Sequence, residues 1–351
     1  MPQPKRAPSQ QRTDRLTVPG HLYAAKLTAL ARRITDDPFE SCESPGQAGG
    51  FSRSAADEQE GKRQGLILAE GAGAIGVLGP ALLWAKKHDV ATLHLLSDDA
   101  APHLVRRAQW FESLGVSLEV WQIHGTEVVV AEAAPIAEVP ELGADIWALA
   151  GVMTESGARV VDDHGRLVAE VAGLEIARVE RDPQGLPVIE VGVGQADREL
   201  HHLVHSNLDI DTALKRAVGM VAAHRSPGAP PHPLNRLARE RWLRSLVLDD
   251  PSLVGATTLE PVPPLRPRST LLGTQPVAAV GTTTEGSPVV VVTSVGVDPD
   301  LAPEAADYRG RTNPDASLIV VVPPRDTYQL TVDLVDALGR AKLVSLEPPW
   351  A

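Results

Sequence analysis

The chain has 351 residues, 43% hydrophobic and 22% charged, which is enough for two or three domains with cores of their own. Its net charge of −12 disfavours sequence-independent binding to nucleic acid, because that affinity comes from counterions released at clustered Lys and Arg, and the lone Cys42 excludes an intrachain disulfide or a thiolate zinc cluster. No apolar run reaches the roughly 18 residues of a membrane helix and no signal-peptide pattern opens the chain, so a cytoplasmic protein with no membrane partner is expected. Aromatic residues are only 3%, leaving Val, Leu and Ala to fill the cores. The abundance of Arg, Ala, Gly, Val and Pro is the bias expected of a GC-rich bacterial genome.

Met1 to Asp14 is polar, basic and proline-bearing, and is expected to be a disordered tail. Leu22, Leu27, Leu30 and Ile34 recur at near-helical spacing and predict one amphipathic helix over His21 to Ile34. Asp36 to Arg63 is rich in Gly, Ser and Glu without periodicity and reads as a linker, so that residues 1–63 form tail, helix and linker. A first α/β unit follows over 64–135: strand Leu66 to Ala69, Gly71, a helix through Leu82 to Trp84, strand Leu93 to Leu96, helix Leu104 to Leu114, and strand Leu118 to Trp121.

Residues 136–268 have a different character. Asp145 to Ser156 is a helix candidate; Arg159 to Asp163, Leu167 to Val179 and Pro187 to Val193 alternate like half-buried strands of a meander. A helix is expected over Asp211 to His224 and another over Leu234 to Leu248. In the latter, Arg236, Arg239, Arg241 and Arg244 read as a solvated face around Glu240. Glu260 to Arg268 reads as a proline-rich connector.

The second unit, 269–351, repeats the order of the first: strand Val289 to Val292, Gly296, helix Leu301 to Tyr308, strand Leu318 to Val322, helix Leu330 to Leu338, strand Leu343 to Leu346. Gly71 and Gly296 are 225 positions apart (296 − 71), as are Leu93 and Leu318 (318 − 93), whereas Val120 and Val344 are 224 apart (344 − 120). Constant spacing of matching elements predicts an internal duplication. The fold class expected is α/β: two related α/β units, restriction-endonuclease-like or Rossmann-like three-layer, flanking a middle β-meander with helices.

Three constellations bear on function. Gly71, Gly73 and Gly76 form G-x-G-x-x-G after a strand, with Asp98 closing the next one. This resembles a Rossmann fingerprint, which implies a dinucleotide on the glycine amides and a ribose hydroxyl on the acid. Pro80 opposes that reading, since a helix opening at the glycines would place it in the second turn. The meander carries Glu170, Glu175 and Glu190; Glu170 and Glu190 would share Mg2+ if their strands pair, whereas simple alternation puts all three on a solvent face. His201 and His205, four apart, share a helical face and would give two ligands to a metal.

The second unit, with a hairpin at Glu285-Gly286, strand Val289 to Thr293, an acidic helix and strand Leu318 to Val322, resembles the restriction-endonuclease-like nucleases. That resemblance implies two carboxylates on Mg2+ and an acid-x-Lys strand end polarising water. The positions present are Thr293-Ser294-Val295, Glu70-Gly71-Ala72 and Glu190-Val191-Gly192, all lacking the Lys. The expectation is therefore a non-catalytic binding or regulatory protein, acting on a protein partner or as a homo-oligomer. The alternatives are a Mg2+-dependent nuclease centred on Glu170, Glu175 and Glu190, and dinucleotide binding at Gly71 to Gly76.

Overall fold

A computed structural model describes residues 20–53, 63–71, 73–195, 197–198, 209–226, 228–268 and 270–350. The first sheet and its helices run α1 (Gly20–Ala31), β1 (Phe39–Cys42), β2 (Ala48–Arg53), β3 (Arg63–Ala69), α2 (Leu78–Lys87), β4 (Val90–Ser97), α3 (Ala101–Ala108), β5 (Ser117–His124) and β6 (Glu127–Val130). Its strands lie in the order β1-β2-β3-β4-β5-β6, with β3, β4 and β5 parallel and the outer strands antiparallel. The segment expected to be a linker thus supplies a hairpin. Its glycines are there for close approach: a Cβ on Gly50 would stand 2.2 Å from the Glu40 carbonyl oxygen and 2.5 Å from the Phe39 ring.

The middle region comprises α4 (Ala144–Trp147), α5 (Ala150–Glu155), β7 (Arg159–Asp162), β8 (Leu167–Val171), β9 (Leu174–Arg181), β10 (Pro187–Val191) and α6 (Ile210–His224). The expected single helix is two short pieces, and the expected strand Leu167 to Val179 is a hairpin. Ala172 (φ 46°) and Gly173 (φ 73°) make its left-handed two-residue turn, a chemistry that Val-Ala-Gly-Leu conceals because Ala seldom takes that conformation. The sheet runs β10-β9-β8-β7, so β9 separates the strands of Glu190 and Glu170. One face packs on α5 and α6 through Met153, Leu174, Ile176, Leu214 and Val221.

The second large sheet follows α7 (Arg239–Asp249) as β11 (Ala256–Val262), β12 (Val277–Thr283), β13 (Pro288–Thr293), α8 (Leu301–Thr312), β14 (Ser317–Val322), α9 (Gln329–Ala337) and β15 (Ala341–Ser345). Glu260-Pro261-Val262, expected in a connector, ends the edge strand β11, where a proline is tolerated. The order is β11-β12-β13-β14-β15, with β13 to β15 parallel.

The two large sheets agree in register as well as order. Gly65 pairs with Leu93 in the first and Val290 with Leu318 in the second, each partner 225 positions on. The third parallel strand differs by one residue from the expected match. Leu95 faces Val120 and Val320 faces Leu343, so Val120 corresponds to Leu343 rather than Val344. A tight Gly339-Arg340 turn, with φ 60° and 48°, accounts for the shorter connection.

Alternation along the parallel strands feeds two cores on opposite faces of each sheet. Ile67 and Ala69 join Val290, Val292, Leu318 and Val320 in one large core with α2, α3, α8 and α9. Leu66 and Leu68 turn the other way onto α1, and Val289 and Val291 turn to the α7 side with Val247. The layers are therefore helix, sheet, shared helices, sheet, helix. Within the shared layer Arg106 forks onto both Asp307 oxygens at 2.9 and 3.0 Å, while Arg107 bridges Asp307 and Asp300 at 2.7 Å each. Among the described residues no helix is long and apolar enough to cross a membrane.

Candidate functional site

At the carboxyl end of β3 the first unit gathers Lys26, Gln47, Glu70 and Asp98. Burying α1 on the sheet brings the Lys26 ammonium to both Glu70 oxygens, at 2.6 and 2.8 Å. Gln47 takes the Glu70 amide and donates to its carbonyl, at 2.8 and 2.9 Å. Gly71, left-handed at φ 78°, gives its amide to Asp98 Oδ2 at 2.9 Å. Gly73 has an ordinary φ of −91°, and Gly76 sits in a 3-10 turn spanning Ala74–Val77. The helix proper begins at Leu78, so Pro80 falls in its first turn, where no intrahelical N–H bond is lost. The glycines thus form a loop before the helix, and the Gly71 amide binds the protein's own Asp98.

The second unit repeats this strand-end arrangement with different residues. Gly296, at φ 81°, gives its amide to Asp326 Oδ2 at 2.7 Å, and Thr293 Oγ1 donates to the Glu240 carbonyl at 2.7 Å. The residues after β13 are Ser294 and Val295, so no carboxylate occupies the place of Glu70.

Glu170 and Glu175 of the meander are buried rather than on a solvent face, where only Glu190 lies. Glu170 and Glu175 stand directly opposite each other on β8 and β9, an arrangement that repels unless cations intervene. Four arginines intervene. Arg241 and Arg244 of α7 each donate to one Glu170 oxygen at 2.9 Å, and Arg241 also reaches Asp163 at 2.6 Å. Arg178 and Arg198 both donate to Glu175 Oε1 at 2.9 Å. Burial pushes the Glu175 carboxyl up, against the pull of Arg178. Glu190 lies apart and half exposed, 3.8 Å from Arg198, so it shares no site with Glu170.

Of the four arginines expected on a solvated face, Arg241 and Arg244 are buried instead, because α7 is wedged between the second sheet and the meander, while Arg236 is exposed and Arg239 half-buried. Arg241 and Arg244 are each 2% exposed and Glu240 is 1% exposed, with Glu240 paired to Arg268. Arg225, also buried, caps the carbonyls of Ala172 and Leu237 and lies 4.5 Å over the Trp242 ring; burial lowers its pKa to about 9. A sequence signal for this wedge existed in the i,i+3 spacing of Arg241 and Arg244. The same spacing also describes an exposed stripe, and only the position of the meander distinguishes the two.

Both Glu170 oxygens and Glu175 Oε1 are held by guanidinium groups, which take the lone pairs that a shared Mg2+ would need. Among the described residues no three His, Cys, Asp or Glu side chains converge as metal ligands, and His201 and His205 lie outside the described residues. Neither a protein-family model nor a curated protein matches the sequence.

Proposed function

We propose that the chain is a non-catalytic binding or regulatory protein of the bacterial cytoplasm, built from two related units of restriction-endonuclease-like pattern that have lost their metal-binding acids. The observation that carries this reading is the use made of the carboxylates. Glu170 pairs with Arg241 and Arg244 and so ties the meander to α7, and Glu175 pairs with Arg178 and Arg198, so that both acids face guanidinium rather than a substrate. The common strand order and the shared 225-residue register of β3 with β4 and β13 with β14 support descent of the two units from one.

One observation favours a second reading, a Mg2+-dependent nuclease. Lys26, Glu70 and Asp98 meet at the carboxyl ends of parallel strands, giving acids and a lysine in one place although not as an acid-x-Lys run. Dinucleotide binding at Gly71 to Gly76 is less favoured, because a pyrophosphate there would compete with Asp98 for the Gly71 amide and meet its charge.

Incubation with single- and double-stranded DNA and RNA in Mg2+ or Mn2+ separates the readings. The expected outcome is no cleavage above that of a Glu70→Gln variant. Metal-dependent cleavage that Glu70→Gln abolishes would replace the binding reading with the nuclease one.

A further inference from the structure

The outer edge of the first sheet is closed over only part of its length. β6 pairs with β5 from Trp121 to His124, and the Ala131 amide adds one last bond to the Val120 carbonyl at 3.0 Å. The chain then leaves across α3, where the Ala134 amide bonds to the Pro102 carbonyl at 2.9 Å. Ser117 to Val120 pair with β4 on the inner side and, among the described residues, with no strand on the outer. Backbone groups alternate sides along a strand, so Leu118, two residues before Val120, turns its N–H and C=O to that same open side. Outer strands are usually kept from pairing by shortness, proline, a bulge or a lysine. Here β1, β6 and β7 have four residues each, β10 begins with Pro187, β11 contains Pro261 and a register shift between Ala256 and Thr258, and β15 carries Lys342. Ser117-Leu118-Glu119-Val120 has none of these guards.

Beside this stretch lies a cleft of about 640 Å³, walled by the β5 edge and by α3 with the turn that follows it. Its apolar lining is Val105, Ala108, Val116, Leu118, Val120 and Val130, the last of them 71% exposed. Glu112 and Glu119 line it too, and no Lys or Arg does. Among the described residues Glu112 forms no ion pair. Glu119 approaches His94 Nδ1 at 3.3 Å, but that nitrogen takes the Trp121 indole N–H at 3.1 Å and so has no proton for the carboxylate. Leu118 and Val120 turn to the shared helices, and Glu119, between them, to the opposite face. A strand laid along this edge would therefore meet apolar groups on one face and an unpaired acid on the other.

We propose that the open edge of β5 binds an extended peptide segment of a partner protein, alternating apolar and basic residues, which continues the sheet in line with β6. The surface is separate from the strand end of Glu70 and Asp98 and stands whether or not the chain proves catalytic.

Calorimetric titration of the full chain with the synthetic peptide acetyl-KVKVKVK-amide tests it, beside the fully N-methylated peptide, which keeps the charges and side chains but cannot donate to a strand edge. One saturable site that weakens with salt is expected. Affinity should fall about tenfold or more on N-methylation, as for the loss of two hydrogen bonds, and about fivefold in E112Q/E119Q, as for two exposed ion pairs. Leu118→Pro removes an outward N–H that pairing with β4 does not use, and should weaken binding with little change in melting temperature. If that variant melts lower, the N-methylated peptide on the natural chain carries the same comparison. Absence of saturable binding, equal affinity for the N-methylated peptide, equal affinity for acetyl-EVEVEVE-amide, or full affinity in E112Q/E119Q would overturn the proposal. A dimer of the free chain in analytical ultracentrifugation that Leu118→Pro dissolves would place a second copy at this edge and overturn it likewise.

Discussion

Glu170 is held by two arginines on α7 inside a layer closed to water, and its loss would leave Arg244 buried without a counter-charge and Arg241 with Asp163 alone. Removing one partner of a buried pair costs about 3–5 kcal/mol, whereas replacing the whole group with apolar residues of similar volume costs far less. Glu170→Ala is therefore expected to lower the unfolding free energy by that amount in urea, and Glu170→Leu with Asp163→Asn, Arg241→Met and Arg244→Met to recover most of it. A Glu170→Ala loss below about 1 kcal/mol, the range of exposed ion pairs, would show the layer to be solvated. The seam between the units carries a second residue-scale test. Burial pushes the Asp300 carboxyl up to about 7, with Glu304 and Asp298 working against the attraction of Arg107. Between its ordinary value of 3.8 and about 7 the folded chain holds a proton that the unfolded chain has released, so this group's contribution to stability falls as pH rises through that window. Asp300→Asn should flatten that part of the stability profile measured by urea unfolding. A decline of the same slope in the variant would assign it to other groups.

At the scale of elements, the β8-β9 turn decides how the meander meets α7. A Cβ on Gly173 would stand 2.3 Å from the backbone carbon and oxygen of Arg241, and the residue is left-handed at φ 73°. Gly185, in the β9-β10 turn, is equally left-handed at φ 83° but has nothing within 4 Å of a Cβ. Gly185→Ala should then cost only the conformational strain, about 1 kcal/mol. Gly173→Ala should cost about 1–3 kcal/mol more, because α7 must move. Differential scanning calorimetry of the pair gives the comparison, and equal losses would mean that the turn does not press on the helix.

For the whole molecule, the shared helical layer makes each large sheet depend on the other. Gly79 on α2 approaches the Pro299 carbonyl so closely that a Cβ there would lie 1.8 Å from the oxygen, and Ser113 Oγ donates to the Ala337 carbonyl at 2.6 Å. Severed from the second unit, residues 20–135 would expose the apolar side of α2 and α3 together with Arg106 and Arg107 deprived of Asp307. The isolated fragment is expected to dimerise or aggregate in analytical ultracentrifugation. A stable folded monomer would show that the layer contributes little. Gly79→Val in the full chain is expected to lower the melting temperature through the same contact.

Much of the architecture was legible along the chain. Uninterrupted runs such as Leu66 to Ala69 and Leu318 to Val322 have no polar face to expose, so strands covered on both sides were the only economical reading, and the helices between them followed from their spacing. Local composition misled where close packing, rather than flexibility, required small residues, as at Gly49 and Gly50 of β2, and where Ala172 took an uncommon turn conformation. The fate of the charged side chains was not legible at all. Glu170 and Arg241 are 71 residues apart, and alternation or helical spacing alone makes each a surface residue. Whether a carboxylate meets water, a metal or a guanidinium depends on which element lies above it, and the chain states that only when the meander is folded against α7.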